Sequence, residues 1–174
     1  MLRASILVSG EARLTRRLLD SAFFNEIENL QIAGVISSNP EAQALTRARN
    51  LHVPTFVVDA HLFPNAASYG QALLNKLRDI DTDFVILDGF APKLGSTAKV
   101  YQGKVFGVKL TPVDQTMEVT AYCADAQGGI GRRLGEAVVA LQEGDTQAGF
   151  ARRVYEQAEP LLLDAVMEFC AERE

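Results

Sequence analysis

Three short segments of this 174-residue chain carry side chains of types that do chemistry. The first runs from Lys104 to Pro112 and reads Lys-Val-Phe-Gly-Val-Lys-Leu-Thr-Pro, with Lys109 near the end of an apolar run. A desolvated lysine with a lowered pKa donates to an oxyanion or acts as a base. A solvated or ion-paired Lys109 at a strand end does neither, and the residue pattern favours this plainer state. The second segment is Gln127-Gly128-Gly129-Ile130-Gly131, followed by Arg132 and Arg133. Gln127 can donate a hydrogen bond but takes no proton near neutral pH; otherwise it is a polar loop residue. The arginine pair either forms an anion site with the glycine-rich turn or is an exposed basic pair. In the third segment Asp88 and Lys93 flank Gly89 and Phe90. Buried there, the two charges are costly unless paired. They pair with each other, close a pocket, bind a polar ligand, or face water.

The remaining candidates carry less. Gly10 follows the first apolar run, with Glu11 and Arg13 close behind. His52 and His61 lack metal-ligand spacing and read as surface residues. No serine has the His and Asp partners of a nucleophile.

The elements that must position these residues alternate. Ala4 to Ser9 reads as a buried strand, and Ala12 to Glu28 has helical spacing. Leu30 to Ser37 is a second strand, closed by Ser38-Asn39-Pro40. Pro40 suits the first turn of a helix that continues through Ala42, Leu45, Ala48 and Arg49. Pro54 to Val58 is a third strand, Ala66 to about Ile80 a helix, and Phe84 to Leu87 the most apolar strand. Such alternation predicts an α/β protein, a twisted and mostly parallel sheet with helices on both faces. No Gly-x-Gly-x-x-Gly follows the first strand, so a dinucleotide-binding site is not indicated. The second half is richer in strands: Lys104 to Leu110, Glu118 to Ala124, and Arg132 to Leu141. Gly144-Asp145-Thr146 opens a final helix with Asp145 or Thr146 as its N-cap. Pro160 is expected to break or bend it, at about 3 kcal/mol for an interior proline.

Composition bounds the rest. One domain spanning residues 1–174 is the natural expectation for this length. A hydrophobic content of 48% and a charged content of 22% suit a globular chain with a full core. The net charge of −5 argues against nucleic acid or an anionic membrane as the main partner. Cys123 and Cys170 form no Cys-x-x-Cys pair and read as buried thiols of a cytoplasmic protein. No signal segment or membrane span is expected.

Four pieces of the chain together resemble the folate-dependent formyltransferases, most closely the glycinamide ribonucleotide (phosphoribosylglycinamide) formyltransferase branch. They are Ser38-Asn39 with Ala42, Leu45, Arg47-Ala48-Arg49 and Val53-Pro54-Thr55; Asp83 to Leu94; Gln127-Gly128-Gly129; and Gly144-Asp145-Thr146 with the closing helix. The resemblance implies a formyltransferase-like three-layer fold. It implies a substrate phosphate at the first loop, here Gly10 to Arg13, and formyltetrahydrofolate or another folate as the formyl donor. It also places small or apolar residues of a pterin pocket at the positions of Asp88, Phe90, Lys93 and Leu94.

The departures fall at the working positions. Where the family has Asn-x-His-Pro, this chain has Gly107-Val108-Lys109-Leu110; where it has Asp-Gly-Gly, this chain has Gln127-Gly128-Gly129. Glu11 stands where a phosphate would sit, with Arg13 as partial compensation. Only Thr111 to Met117 links two strands that the family joins by a longer segment. Formyl transfer passes through a tetrahedral oxyanion. Losing one oxyanion donor costs about 10²–10³ in rate, and losing acid–base help about 10²–10⁴. The expectation is therefore a divergent family member without the family's chemistry. A remnant small-molecule pocket is expected around Leu87 to Leu94, Gly107 to Lys109 and Gln127 to Gly129. If Leu94, Phe106 and Gly128 pack solid, that pocket has no ligand role. The alternatives are an active enzyme rebuilt on Lys109 and Gln127, and a structural or interaction protein such as a homodimer.

Overall fold

A computed structural model describes residues 1–173. The chain runs β1 (Leu2–Val8), α1 (Thr15–Phe23), β2 (Leu30–Ser37), α2 (Gln43–Asn50), β3 (Thr55–Val57), α3 (Ala66–Asp79), β4 (Phe84–Asp88), α4 (Ser96–Val100), β5 (Val105–Val113), β6 (Thr116–Ala124), β7 (Ile130–Ala140) and α5 (Gln147–Ala171). A short 3-10 turn, Ala60–Leu62, lies between β3 and α3. The seven strands form one sheet in the order β3-β2-β1-β4-β5-β6-β7. Pairing is parallel from β3 to β5 and antiparallel from β5 through β6 to β7.

The parallel strands are apolar on both faces, and alternation along each divides their side chains between two cores. Ala4, Ile6 and Val8 of β1, with Phe84 and Ile86 of β4, join Leu18 of α1, Leu45 of α2 and Phe169 of α5. Leu7 and Val85 point the other way and join Leu73 and Leu77 of α3 and Ala98 of α4. The result is the three-layer α/β arrangement expected from the alternating pattern. Phe169 anchors α5 on the sheet, with ring centroids 4.7 Å from Phe84 and 4.9 Å from Phe106. Cys123 and Cys170 are both buried. Among the described residues no helix is long and apolar enough to cross a membrane.

Several boundaries differ from the sequence-based expectation. The first helix is shorter than Ala12 to Glu28, because Ala12 and Asn25 adopt positive φ (52° and 53°) at either side of it. Pro40 precedes α2 rather than opening it. The Asn39 side chain accepts from the Glu41 amide at 3.0 Å and forms a local turn, and the helix starts at Gln43. The link between β5 and β6 is not the seven-residue Thr111 to Met117. Both strands run on into a two-residue turn at Asp114-Gln115, where Asp114 takes φ 53°. The short helix α4 has no apolar periodicity to announce it.

Pro160 neither breaks nor ends α5, which runs through it for 25 residues. It sits on the solvent face, while Ala158, Leu162 and Leu163 hold the helix to the core on either side of it. On that face a carbonyl left without its helical partner reaches water, so the lost N–H costs less there. Thr146, not Asp145, is the N-cap: its hydroxyl accepts from the Gly149 amide at 3.0 Å. Asp145 accepts instead from the Gln142 amide at 2.7 Å and pairs with Arg153.

Candidate functional site

The strand order reverses between β1 and β4. From β1 the chain steps outward to β2 and β3, then returns to the other side of β1 for β4. In open α/β sheets this point opens a crevice beyond the carboxyl ends of the strands, where ligands bind. Here it is a cleft of about 210 Å³. Its walls come from the loop after β1 (Glu11 to Leu14), the end of β4 (Leu87 to Gly89), Val108 and Leu110 of β5, and Tyr155 of α5.

Asp88 forms the floor and is 5% exposed. Its Oδ2 accepts from the Thr15 amide at 2.7 Å and from the Thr15 hydroxyl at 2.8 Å. Burial pushes the carboxyl above its ordinary range, and the bonds from Thr15, the Leu14 backbone and the Arg47 charge oppose that rise. Leu14, at the N-cap position of α1, offers no side-chain cap. Asp88 supplies from β4 what the local sequence omits, a side-chain acceptor for the first amide of the helix, which also donates to the Ala12 carbonyl at 3.2 Å. Lys93 is exposed and is not its partner, so the Asp88–Lys93 ion pair does not form.

The loop after β1 is held by its own charges. Arg13 lies 3.4 Å from Glu11 and 5.0 Å above the Tyr155 ring. Arg47 of α2 reaches Glu11 at 4.0 Å and donates to its main-chain oxygen at 3.2 Å. A side chain on Gly10 would meet nothing within 4 Å, so the space above it is open. Ser9 ties the rim together: its hydroxyl bonds that of Ser38 at 2.6 Å and accepts from the Ala91 amide at 2.9 Å.

The structure separates this cleft from the other residues singled out in the sequence. Val108 and Leu110 face the cleft, so strand alternation turns Gly107 and Lys109 to the opposite face of β5. Lys109 is exposed. Gly107 is buried against Tyr122, its partner across β6; an added Cβ would lie 3.1 Å from the Tyr122 hydroxyl and 3.2 Å from its ring. Burial pushes the Tyr122 phenol above its ordinary value. On the same side Leu94 is 5% exposed, and a Cβ on Gly128 would contact Leu94 and Ala98 at 3.9 and 4.0 Å. Phe90 stacks with Tyr69 at 6.4 Å. Phe106 is buried on the α5 face and packs on Phe169, away from Leu94 and Gly128. Of the remnant pocket expected from sequence, only Leu87 to Gly89 and Val108 line the cleft.

Asp125 is a residue that sequence reasoning missed. Its Oδ1 accepts from the Gln127 and Gly129 amides, each at 2.9 Å. Those N–H groups are therefore committed within the loop, and Gln127 itself is exposed. Arg133 pairs on the surface with Glu136 at 2.8 Å. The anion-site reading of Arg132 and Arg133 over a glycine turn is corrected accordingly, since a carboxylate already takes that turn's amides. An Asp followed two residues later by a polar residue and two glycines is the signal for such a side-chain-closed turn. His52 and His61 are exposed. Among the described residues no group of three or more His, Cys, Asp or Glu could hold a metal ion.

A family model described as formyl transferase matches residues 2–103, the part from β1 through α4. Over 75 residues the chain is 27% identical to a phosphoribosylglycinamide formyltransferase of Bacillus subtilis, covering 42% of this chain and 38% of that protein. The chain thus matches well under half the length of this curated relative. In fold it is similar to glycinamide ribonucleotide transformylase 1 from Symbiobacterium toebii, with a TM-score of 0.89 at 22% identity over 99% of this chain and 89% of that one. It is also similar to phosphoribosylglycinamide formyltransferase from Bacillus Halodurans, with a TM-score of 0.88 at 17% identity over 99% and 97% of the two chains.

Proposed function

From the premise that the chain belongs to the formyl transferase family, we propose that it does not transfer formyl groups by the Asn–His–Asp chemistry the resemblance implies, and that it binds a small molecule in the cleft at the switch point. The observation that carries this reading is the pair Gly107 and Tyr122. The position of the expected Asn has no side chain, and the Tyr122 ring occupies the space such a side chain would need. Lys109, at the position of the expected His, is exposed and lies on the face of β5 away from the cleft. Gln127, at the position of the expected Asp, has no proton to give or take near neutral pH.

A folate does not fit the residues present. The remnant pocket expected from the resemblance is filled at Gly107 by Tyr122 and contacted at Gly128 by Leu94 and Ala98. The cleft of about 210 Å³ is smaller than the ~300 Å³ at which drug-sized sites begin. It suits a small polar molecule.

The test is a formyl-transfer assay with formyltetrahydrofolate and glycinamide ribonucleotide. The expected rate is background. Turnover that Lys109→Ala abolishes without loss of fold would overturn the reading in favour of a rebuilt enzyme. Thermal stability with a panel of small ligands tests the binding half: saturation at about 100 times Kd adds roughly 2.7 kcal/mol.

A second reading, an interaction protein that pairs with a copy of itself, is supported by one surface. Phe23 and Phe24 are 69% and 66% exposed at the end of α1, beside an apolar groove lined by Met1, Leu51 and Val53. Sedimentation of the wild type and of a Phe23→Ser, Phe24→Ser variant tests it. A monomeric wild type removes this reading.

A further inference from the structure

We infer that Asp88 sets the ligand class of the switch-point cleft: its carboxylate stands at the N-terminus of α1 where an anion would bind, so the cleft turns away phosphates and other anions. This deepens the reading of the cleft as a ligand site and rests on it.

A helix that starts at a switch-point crevice presents unpaired N–H groups and the positive end of its dipole to whatever enters. In this chain the Thr15 amide and hydroxyl are already taken, at 2.7 and 2.8 Å, by a carboxylate 73 residues away in sequence. That carboxylate is nearly fully buried, so solvent screens it poorly against an incoming anion. The cations nearby are committed as well. Arg13 pairs with Glu11 and covers the Tyr155 ring, and Arg47 also reaches Glu11. An anion entering the cleft therefore meets two carboxylates, Glu11 and Asp88, and no uncommitted cation among its described lining residues. A neutral or amine-bearing molecule meets acceptors instead. Asp88 thus acts as a built-in counter-anion of α1 and as the selectivity element of the cleft.

The experiment titrates inorganic phosphate against the wild type, Asp88→Ala and Asp88→Asn, with chloride at matched ionic strength as control. The amide resonances of Leu14 and Thr15 and the melting temperature are followed. In the wild type neither should respond to phosphate beyond the chloride control. Asp88→Ala vacates the position and should bind phosphate ~10-fold or more tightly than the wild type, with shifts at Leu14 and Thr15. Asp88→Asn keeps the volume and the acceptor but drops the charge. It should fall between the two, and it carries the test if the alanine variant does not fold. Phosphate shifts of these amides in the wild type would overturn the inference, as would no gain in whichever variants fold. Failure of the cleft as a ligand site looks different: no small molecule would bind the wild type, while Asp88→Ala still gained phosphate.

Discussion

The Tyr122 hydroxyl lies 3.1 Å from the point where a side chain on Gly107 would begin. The two residues are paired across the antiparallel ladder of β5 and β6, and the ring folds back over the bare glycine. An aromatic residue covering a glycine in a neighbouring strand compensates for the missing side chain. It also means that a larger residue does not fit at this position unless Tyr122 moves.

Gly107→Asn should therefore destabilise the protein by about 1–3 kcal/mol, the usual range for overpacking. Urea unfolding reads the loss. Adding Lys109→His to that variant should not bring formyl transfer above background, because the introduced Asn side chain would still meet the Tyr122 ring. Transfer by the double variant would show that the site lacks only its side chains.

Thr15 and Asp88 provide a second measurable coupling. Thr15→Ala removes the hydroxyl donor at 2.8 Å from a buried carboxylate and leaves the amide bond in place. The expected cost is about 1–3 kcal/mol. A double-mutant cycle with Asp88→Asn should give a clear interaction energy, since the residues touch. Additive losses would mean that the hydroxyl does not support Asp88.

The pH dependence of stability follows from the same carboxyl. Burial raises the folded-state pKa of Asp88 above its ordinary 3.8, so the folded chain holds this proton more tightly than the unfolded chain. Its contribution to stability is fully present below the unfolded value and is lost as pH rises through the folded one. Relative to Asp88→Asn, the wild type should lose stability as pH climbs from 3.8 toward neutrality. Denaturant midpoints of both proteins across that window test the sign. An opposite trend would mean that the donors of Leu14 and Thr15 outweigh desolvation.

Pro160 gives a test of the closing helix. Because it interrupts the hydrogen bonding of α5 only on the solvent side, Pro160→Ala should stabilise the protein by about 1–2 kcal/mol, less than the ~3 kcal/mol of an interior proline. A destabilised variant would mean that Pro160 helps to seat Leu162 and Leu163.

The sequence by itself determined the layers. Apolar runs at Leu30 to Ser37 and Phe84 to Leu87, separated by helical periodicity, leave a mostly parallel sheet as the way to bury both faces. It also raised the expectation that Gly107, Lys109 and Gln127 stand where the family has Asn, His and Asp. Local boundaries were less legible. Left-handed turns at Ala12 and Asp114 carry no glycine to mark them, and the tolerance of Pro160 depends on which face of α5 meets the core.

Only the tertiary structure decided what surrounds those positions. That Tyr122 covers Gly107 depends on the register of β5 against β6. That Asp88 caps α1 depends on β4 lying beside β1. Hydrophobic periodicity sets which face of an element is buried, but it does not set which element lies next to which. The partner of a buried polar group is fixed by that adjacency, across distances in sequence that local pattern does not span.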